Sequence, residues 1–133
     1  MLLEIDLQSE VPIYTQLVNA IVEGIARKRL LPGDALPSVR GLASDLGINL
    51  HTVNKAYQIL KQEGYVQINR KQGVVVNPDS MPPADQPYRQ RLAEQLRPFI
   101  ADAICRGLTK EQFDELSRSV FEDMRREENS NVD

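Results

Sequence analysis

Short polar side chains crowd into one turn of the stretch GINLHTVNKAY, which covers residues 47–57. Asn49, His51 and Thr52 lie there together, and Lys55 follows one helical turn later. An asparagine amide can pair with an adenine edge, and a threonine can donate, accept or offer its methyl group to a thymine. A helix that begins at this point would therefore present a surface able to distinguish bases in the major groove of DNA.

The segments before this stretch predict the helices that would hold it in place. Residues 12–30 carry isoleucine and leucine at four-residue spacing and predict a first helix, which LPGD at 31–34 should end. Ala35 and Leu36 could form a very short strand. Ser38 is a suitable N-cap for a second helix, which should run to about residue 46 and end at the following glycine.

A third helix and a hairpin complete this part of the chain. Asn49 can cap the helix, Gly64 should end it, and its spacing predicts four inward positions: Val53, Ala56, Tyr57 and Leu60. YVQIN at 65–69 alternates apolar and polar residues, and VVV at 74–76 is a β-branched partner for it. The order of helix, short strand, two helices and hairpin predicts a winged helix-turn-helix, a mainly α fold with a small β wing.

Further polar residues flank the reading turn in this fold. Arg40 falls in the first turn of the second helix, where its reach allows contact with either a phosphate or a base edge. Asn54 lies next along the third helix. The wing tip, able to lie along phosphates or enter the minor groove, consists of Arg70, Lys71, Gln72 and Gly73. The sequence also allows plainer roles: a helix cap for Asn49, and exposed side chains without a partner for the others.

The distribution of charge is compatible with such a surface although the net charge is −3. Residues 1–78 contain 8 Lys and Arg against 7 Asp and Glu, whereas residues 79–133 contain 8 against 12. Within residues 36–76 five basic residues face two acidic ones, which gives a local charge of +3. An acidic chain can bind a polyanion through a patch of this kind.

A proline-rich stretch divides the chain. Residues 78–87 contain four prolines and predict a semi-rigid linker between a DNA-binding domain at 1–77 and a two-helix region at 88–133. The first of these two helices covers roughly residues 86–106, and Pro98 should kink or interrupt it. Thr109 begins a T-x-x-Q capping box for the second helix.

Wide apolar faces on these two helices need a partner, because two helices of about 40 residues together cannot bury them alone. A closed two-fold dimer is the commonest solution, and it would carry two reading helices to half-sites about one DNA turn apart, or a multiple of that. A monomer in which the two helices cover the first domain is the alternative. The residues predicted to form the dimer surface are Leu92, Leu96, Phe99, Ile100, Ile104, Phe113, Leu116, Val120 and Phe121.

Several motifs that follow one another along the chain resemble those of a known family: PIYTQL, LPGDALPSVRGLA, LGINLHTVNKAYQILKQEGY and the wing RKQG. Together they make residues 12–76 resemble the N-terminal domain of the GntR family of bacterial transcription regulators, and the short C-terminal hairpin resembles the YtrA subfamily, where it serves dimerisation. The resemblance implies a dimeric regulator of its own or a neighbouring operon, including transport genes. The DNA contacts it implies are Arg40, Asn49, His51, Thr52, Lys55, Arg70 and Gly73.

Other function classes lack the residues they need. A phosphate-binding glycine loop, a metal-ligand cluster and a His paired with a Ser or Cys nucleophile are all missing, so we predict neither an enzyme nor a bound cofactor or metal. Without a signal peptide or an apolar run near 20 residues, and with a single cysteine, Cys105, the chain is expected in the cytoplasm. An architectural DNA binder and a protein-binding winged helix remain as alternatives, and the sequence leaves open both an effector and the choice between repression and activation. Repression is favoured because a small dimer acts most simply by occluding a promoter.

Overall fold

The computed structural model describes residues 3–130 of the chain, with side chains through residue 126. It confirms the predicted mainly α fold and the order of elements. The helices and strands are α1 Ile13–Ala26, α2 Val39–Leu46, α3 Leu50–Glu63, β1 Val66–Asn69, β2 Gly73–Val76, α4 Gln86–Cys105 and α5 Lys110–Ser130. The chain divides between Pro82 and Pro83 into two compact units, here called the winged unit and the paired-helix unit.

The winged unit has a continuous apolar core between its three helices and its hairpin. Leu17 and Ile21 supply the buried side of α1, and both are completely inaccessible to solvent. Burying one such side chain contributes about 1.5–3 kcal/mol. The residues that form the core are Leu17, Ile21, Leu36, Leu42, Ala43, Val53, Ala56, Tyr57, Leu60, Val66, Val74 and Val76.

The end of α1 corrects the predicted helix at 12–30. The helix ends at Ala26, and Lys28 adopts a left-handed conformation with φ of 62°. The N–H of Leu30 then donates to the carbonyl of Gly24 over 3.1 Å. A Cβ on Gly24 would stand only 3.1 Å from Leu30 Cδ1, so the missing side chain lets the chain fold back onto its own helix.

The hairpin consists of two strands and is extended by an isolated bridge at Ala35, where the sequence allows a very short strand. β1 and β2 pair antiparallel, with Val66 opposite Val76. On the other side of β2, Ala35 forms a single bridge with Val75, as the sequence predicts. The N–H of Val76 also donates to the carbonyl of Asp34 over 2.8 Å. These bonds fix the base of the wing to the segment that leads into α2.

Side-chain hydrogen bonds hold the segment after β2 against the winged unit. The amide Nδ2 of Asn77 donates to the carbonyl of Gly64 over 2.9 Å. Nε2 of Gln67 in β1 donates to Oδ2 of Asp79 over 3.1 Å. The proline-rich stretch 78–87 therefore begins on the winged unit, and its last two residues belong to α4.

The paired-helix unit consists of α4 and α5. α4 is not interrupted at Pro98, contrary to one of the two expectations for that residue, because proline removes a single N–H donor and the helical turns on both sides continue around it. Asp85 caps α4 by accepting the N–H of Tyr88 over 3.0 Å. The predicted capping box of α5 is confirmed, with Thr109 and Gln112 exchanging bonds of 2.9 and 3.1 Å.

Candidate nucleic-acid interface

The turn between α2 and α3 has the caps that the sequence predicts. Gly47 ends α2 with φ of 67°, and the N–H of Ile48 donates to the carbonyl of Ala43 over 3.0 Å. Asn49 caps α3, since its Oδ1 accepts the N–H of His51 over 2.8 Å. That bond orients the amide group of Asn49, whose NH₂ can still donate to a partner outside the chain.

The rotation of α3 about its axis is fixed by its buried side. The four residues predicted to point inward are each completely buried: Val53, Ala56, Tyr57 and Leu60. His51, Asn54 and Lys55 are exposed on the same helix, and Thr52 is half-buried. The structure therefore places the predicted reading residues on the solvent-facing side of the first two turns.

Tyr57 ties α3 to the start of α2. Its hydroxyl donates to the carbonyl of Pro37 over 2.7 Å, and burial raises the pKa of Tyr57 to about 12. Pro37 directly precedes Ser38, whose side chain caps α2 by accepting the N–H of Gly41 over 3.0 Å. The bond thus holds the first turn of α2, which carries the exposed Arg40, in a fixed position beside α3.

The wing tip is an exposed turn ordered by a side-chain hydrogen bond. Arg70, Lys71 and Gln72 connect the two strands, and Gly73 adopts φ of 70°. Asn69 orders the turn, because its Oδ1 accepts the N–H of Gln72 over 2.6 Å. From the sequence, Asn69 is predicted only as the last residue of the strand at 65–69. Its position immediately before a charged turn could have predicted this role, because asparagine side chains commonly close such turns.

Four cations of this surface have no acidic partner among the side chains of residues 3–126. Arg40, Lys55, Arg70 and Lys71 make no ion pair within the part of the chain that the structure describes. Elsewhere cations do find carboxylates, as Arg27 does with Glu23 over 3.0 Å. Unpaired cations around a polar helix can neutralise phosphates and release the counterions that these hold.

Two residues of α1 that the sequence pattern does not single out make polar contacts in the winged unit, and one of them contacts this surface. The ring of Tyr14 lies 3.9 Å below Nζ of Lys55, measured to the ring centroid. Gln16 fastens the N-terminal segment: its Oε1 accepts the N–H of Asp6 over 2.8 Å, and its Nε2 donates to the carbonyls of Asp6 and Val11 over 2.9 Å each. Both belong to PIYTQL, a motif that marked the family without revealing what its side chains do.

The paired-helix unit presents a different kind of surface. No residue of α4 is buried, and Phe99, Ile104 and Phe121 are each at least 60% exposed. An apolar groove of about 310 Å³ lies between the two helices, lined by Leu96, Phe113, Leu116, Ser117, Val120 and Phe121. Five of the nine predicted dimer residues thus line this groove, and the other four are exposed on α4. Phe113 is half-buried.

Among the side chains of residues 3–126, no group of three or more His, Cys, Asp or Glu residues could hold a metal ion. None of the helices described is both long enough and apolar enough to cross a membrane.

The family and its relatives can be identified from the sequence and the fold together. The sequence model described as "Bacterial regulatory proteins, gntR family" matches residues 13–76, which covers α1 through β2. The HTH-type transcriptional repressor YtrA of Bacillus subtilis (strain 168) is 32% identical over 124 residues, spanning 93% of this chain and 95% of that protein. This similarity therefore includes the paired-helix unit as well as the winged unit.

Two solved structures share the fold. YtrA from Sulfolobus acidocaldarius, a GntR-family transcription factor, is 40% identical, with 90% of this chain and 97% of that chain covered and a TM-score of 0.56. A transcriptional antiterminator from Listeria monocytogenes EGD-e is 26% identical, with 93% and 92% covered and a TM-score of 0.85. Both matches extend over most of each chain.

Proposed function

Because this chain belongs to the GntR family of DNA-binding transcription regulators, we propose that it is a homodimeric, sequence-specific transcriptional repressor located in the cytoplasm. Its target is an operator in double-stranded DNA. One observation carries the proposal: the winged unit combines the exposed polar turn of α3 with exposed cations on α2 and the wing that have no acidic partner in the described residues. A groove-binding helix needs polar contacts to bases and basic contacts to phosphates on either side.

The proposal assigns base contacts to the start of α3. Asn49 and Thr52 have the groups that recognise adenine and thymine edges, and His51 and Asn54 extend the same surface along the helix. Lys55 lies one turn further on, within reach of the backbone or a guanine. These side chains are short or exposed, so a base edge can approach them without rearrangement of the core.

The remaining contacts come from α2 and the wing. Arg40 can bind a guanine through two parallel hydrogen bonds or neutralise a phosphate at the groove edge. At the wing, Arg70 and Lys71 would follow the adjacent phosphates, with Gln72 as a further donor. Gly73 lets the backbone of the wing approach the DNA, because it carries no side chain.

Dimerisation is proposed through the apolar surface of α4 and α5. Eight of its nine predicted residues are between 38% and 67% exposed in a single chain. Contiguous apolar surface of this kind usually marks an interaction site in a soluble protein. A second copy related by two-fold symmetry would cover it with the same residues and would pair two reading helices.

Repression is proposed for two reasons. The relative from Bacillus subtilis that matches along nearly its whole length is described as a repressor. A dimer of this size, bound across a promoter, would also block polymerase without any further contact. The proposed target is the regulator's own or a neighbouring operon, including transport genes.

Selection of bound duplexes from a random DNA pool tests the proposal. We expect one enriched sequence with two-fold symmetry. Arg40→Ala and Thr52→Ala should each weaken binding to that duplex by about 1–3 kcal/mol, the cost of one good base contact. Gln62→Ala, an exposed position in the last turn of α3, is the matched control and should leave affinity unchanged.

Other outcomes separate the alternatives. Binding without enrichment would indicate an architectural DNA binder, and absence of binding would indicate a protein-binding winged helix. A duplex RNA of the selected sequence should bind weakly, because the deep and narrow major groove of RNA excludes α3. Lys71→Ala should weaken binding to all DNA sequences alike and lower the salt slope by about one; a sequence-selective loss would contradict a phosphate contact.

A further inference from the structure

Lys55 and Tyr14 form a contact that joins the reading helix to α1. Nζ of Lys55 lies 3.9 Å from the centroid of the Tyr14 ring. A cation within about 6 Å of a ring face is attracted by the electrons of that face. Among residues 3–126 the Lys55 ammonium has no ion pair or hydrogen bond, and the Tyr14 hydroxyl has no hydrogen-bond partner. The attraction between the ammonium and the ring is therefore the electrostatic interaction that joins the two side chains.

The two partners differ in how firmly they are held. Tyr14 is half-buried and packs against the core of the winged unit, so its ring is a fixed platform. Lys55 is exposed on a flexible side chain that carries about 2 kcal/mol of rotamer entropy. A fixed ring beneath the ammonium selects one direction for that side chain before any DNA is present. Rotamer entropy that Lys55 has already lost in the free protein is not lost again when DNA binds, so it does not weaken binding.

We propose that Tyr14 is a positioning residue for DNA binding. Its ring holds the ammonium of Lys55 on the exposed side of α3, where it meets the DNA together with the first turn of the helix. The inference rests on the proposed function, in which Lys55 contacts DNA. It extends the site to α1, which lies outside the helix-turn-helix and carries none of the contacts that the sequence predicts.

A double-mutant cycle on the full-length chain tests the inference, with the selected DNA duplex as the probe. Lys55→Met keeps the aliphatic stem and removes the charge, and should weaken binding about ten-fold, as expected for loss of one charged hydrogen bond. Tyr14→Leu should weaken it roughly two- to five-fold, the equivalent of one exposed cation–π contact. The double variant should bind no more weakly than Lys55→Met alone.

Two controls separate positioning from packing. Tyr14→Phe keeps the ring face and should bind within two-fold of the wild-type chain. Lys61→Met removes the other lysine of α3, and in that background Tyr14→Leu should show its full two- to five-fold effect. Additive losses in the cycle with Lys55, or equal losses in Tyr14→Phe and Tyr14→Leu, would overturn the positioning role.

A measurement on the free protein does not depend on the stability of the leucine variant. In NMR spectra the ε-methylene protons of Lys55 should be shifted upfield relative to those of Lys61 by the ring current, in both the wild-type chain and Tyr14→Phe. Equal shifts for the two lysines would overturn the inference alone. If the wild-type chain bound no duplex selectively, the proposed function and the inference would both fail.

Discussion

The two units of this chain differ in how much of their apolar surface they bury. The winged unit buries twelve residues in one core, whereas no residue of α4 is buried. Phe99 and Phe121 are at least 60% exposed, yet Tyr57, another large aromatic residue, is completely buried. The winged unit can therefore be stable as a single chain, while the paired-helix unit needs a further surface to cover its apolar face.

The proposed function gives each unit a separate task that fits this difference. A rigid core lets the winged unit hold Arg40, Asn49 and Thr52 at fixed positions, as the proposed recognition of base edges requires. The uncovered face of the paired-helix unit is suited to association instead. Substitutions of the same kind should therefore change different observables in the two units.

The largest effect is expected from truncation in the core. Leu60→Ala should lower the free energy of unfolding by about 2–5 kcal/mol, because it opens a cavity at a fully buried position. Leu116→Ala in α5, where the leucine is 57% exposed, should change that free energy by less than about 0.5 kcal/mol when measured on single chains. Denaturation followed by circular dichroism at low protein concentration compares them, and equal losses would break the contrast.

Alkaline pH should weaken the winged unit through Tyr57. Burial raises the pKa of this phenol from 10.0 to about 12, so the folded state favours the protonated form. This preference contributes about 2.7 kcal/mol to the free energy of unfolding below pH 10. The contribution is lost as the pH rises through 12. Tyr57→Phe should remove this extra pH dependence in denaturation at pH 9 to 12. An unchanged pH profile in the variant would contradict it.

Truncation on the apolar face should weaken association. Phe99→Ala should cost about 2 kcal/mol of dimer stability, the usual level for an aromatic anchor at an interface. Light scattering over a concentration series measures the change, with Glu94→Ala on the same helix as the control. A wild-type chain that is monomeric at micromolar concentration would contradict the proposed dimer.

The smallest effect is expected from the helix caps, and here the two units should behave alike. Asn49→Ala and Thr109→Ala each remove a side-chain acceptor at the start of a helix, which costs about 1 kcal/mol of stability. Only Asn49→Ala should also weaken DNA binding. Hydrogen exchange at α3 and α5 measures the first effect, and equal loss of DNA binding in both variants would argue against the base contact of Asn49.

Most of the winged unit follows from local chemistry and could be predicted. Gly47 and Gly64 end their helices in left-handed conformations that the residue type favours, and Ser38 and Asn49 have the short polar side chains that cap helices. The buried side of α3 follows from helical spacing alone. These features depend on neighbours in sequence, so they can be predicted without the fold.

Features that depend on distant partners could not be predicted. The early end of α1 requires Leu30 to pack on Gly24, and helical periodicity does not indicate such a contact. Tyr14 and Lys55 are brought together only when α1 packs on α3. Pro98 is the opposite case, in which a local rule predicts too much. Proline is expected to kink or interrupt a helix, yet α4 continues through Pro98.

The division of tasks between the two units is tested most directly by DNA spacing. Affinity of the full-length chain would be measured for duplexes that carry two selected half-sites at increasing separation. The account predicts an affinity maximum when their centres lie about 10 bp apart, or a multiple of that, and a steep loss when about 5 bp are added, because the second half-site then faces away. Affinity that does not depend on the separation would contradict the pairing of two reading helices.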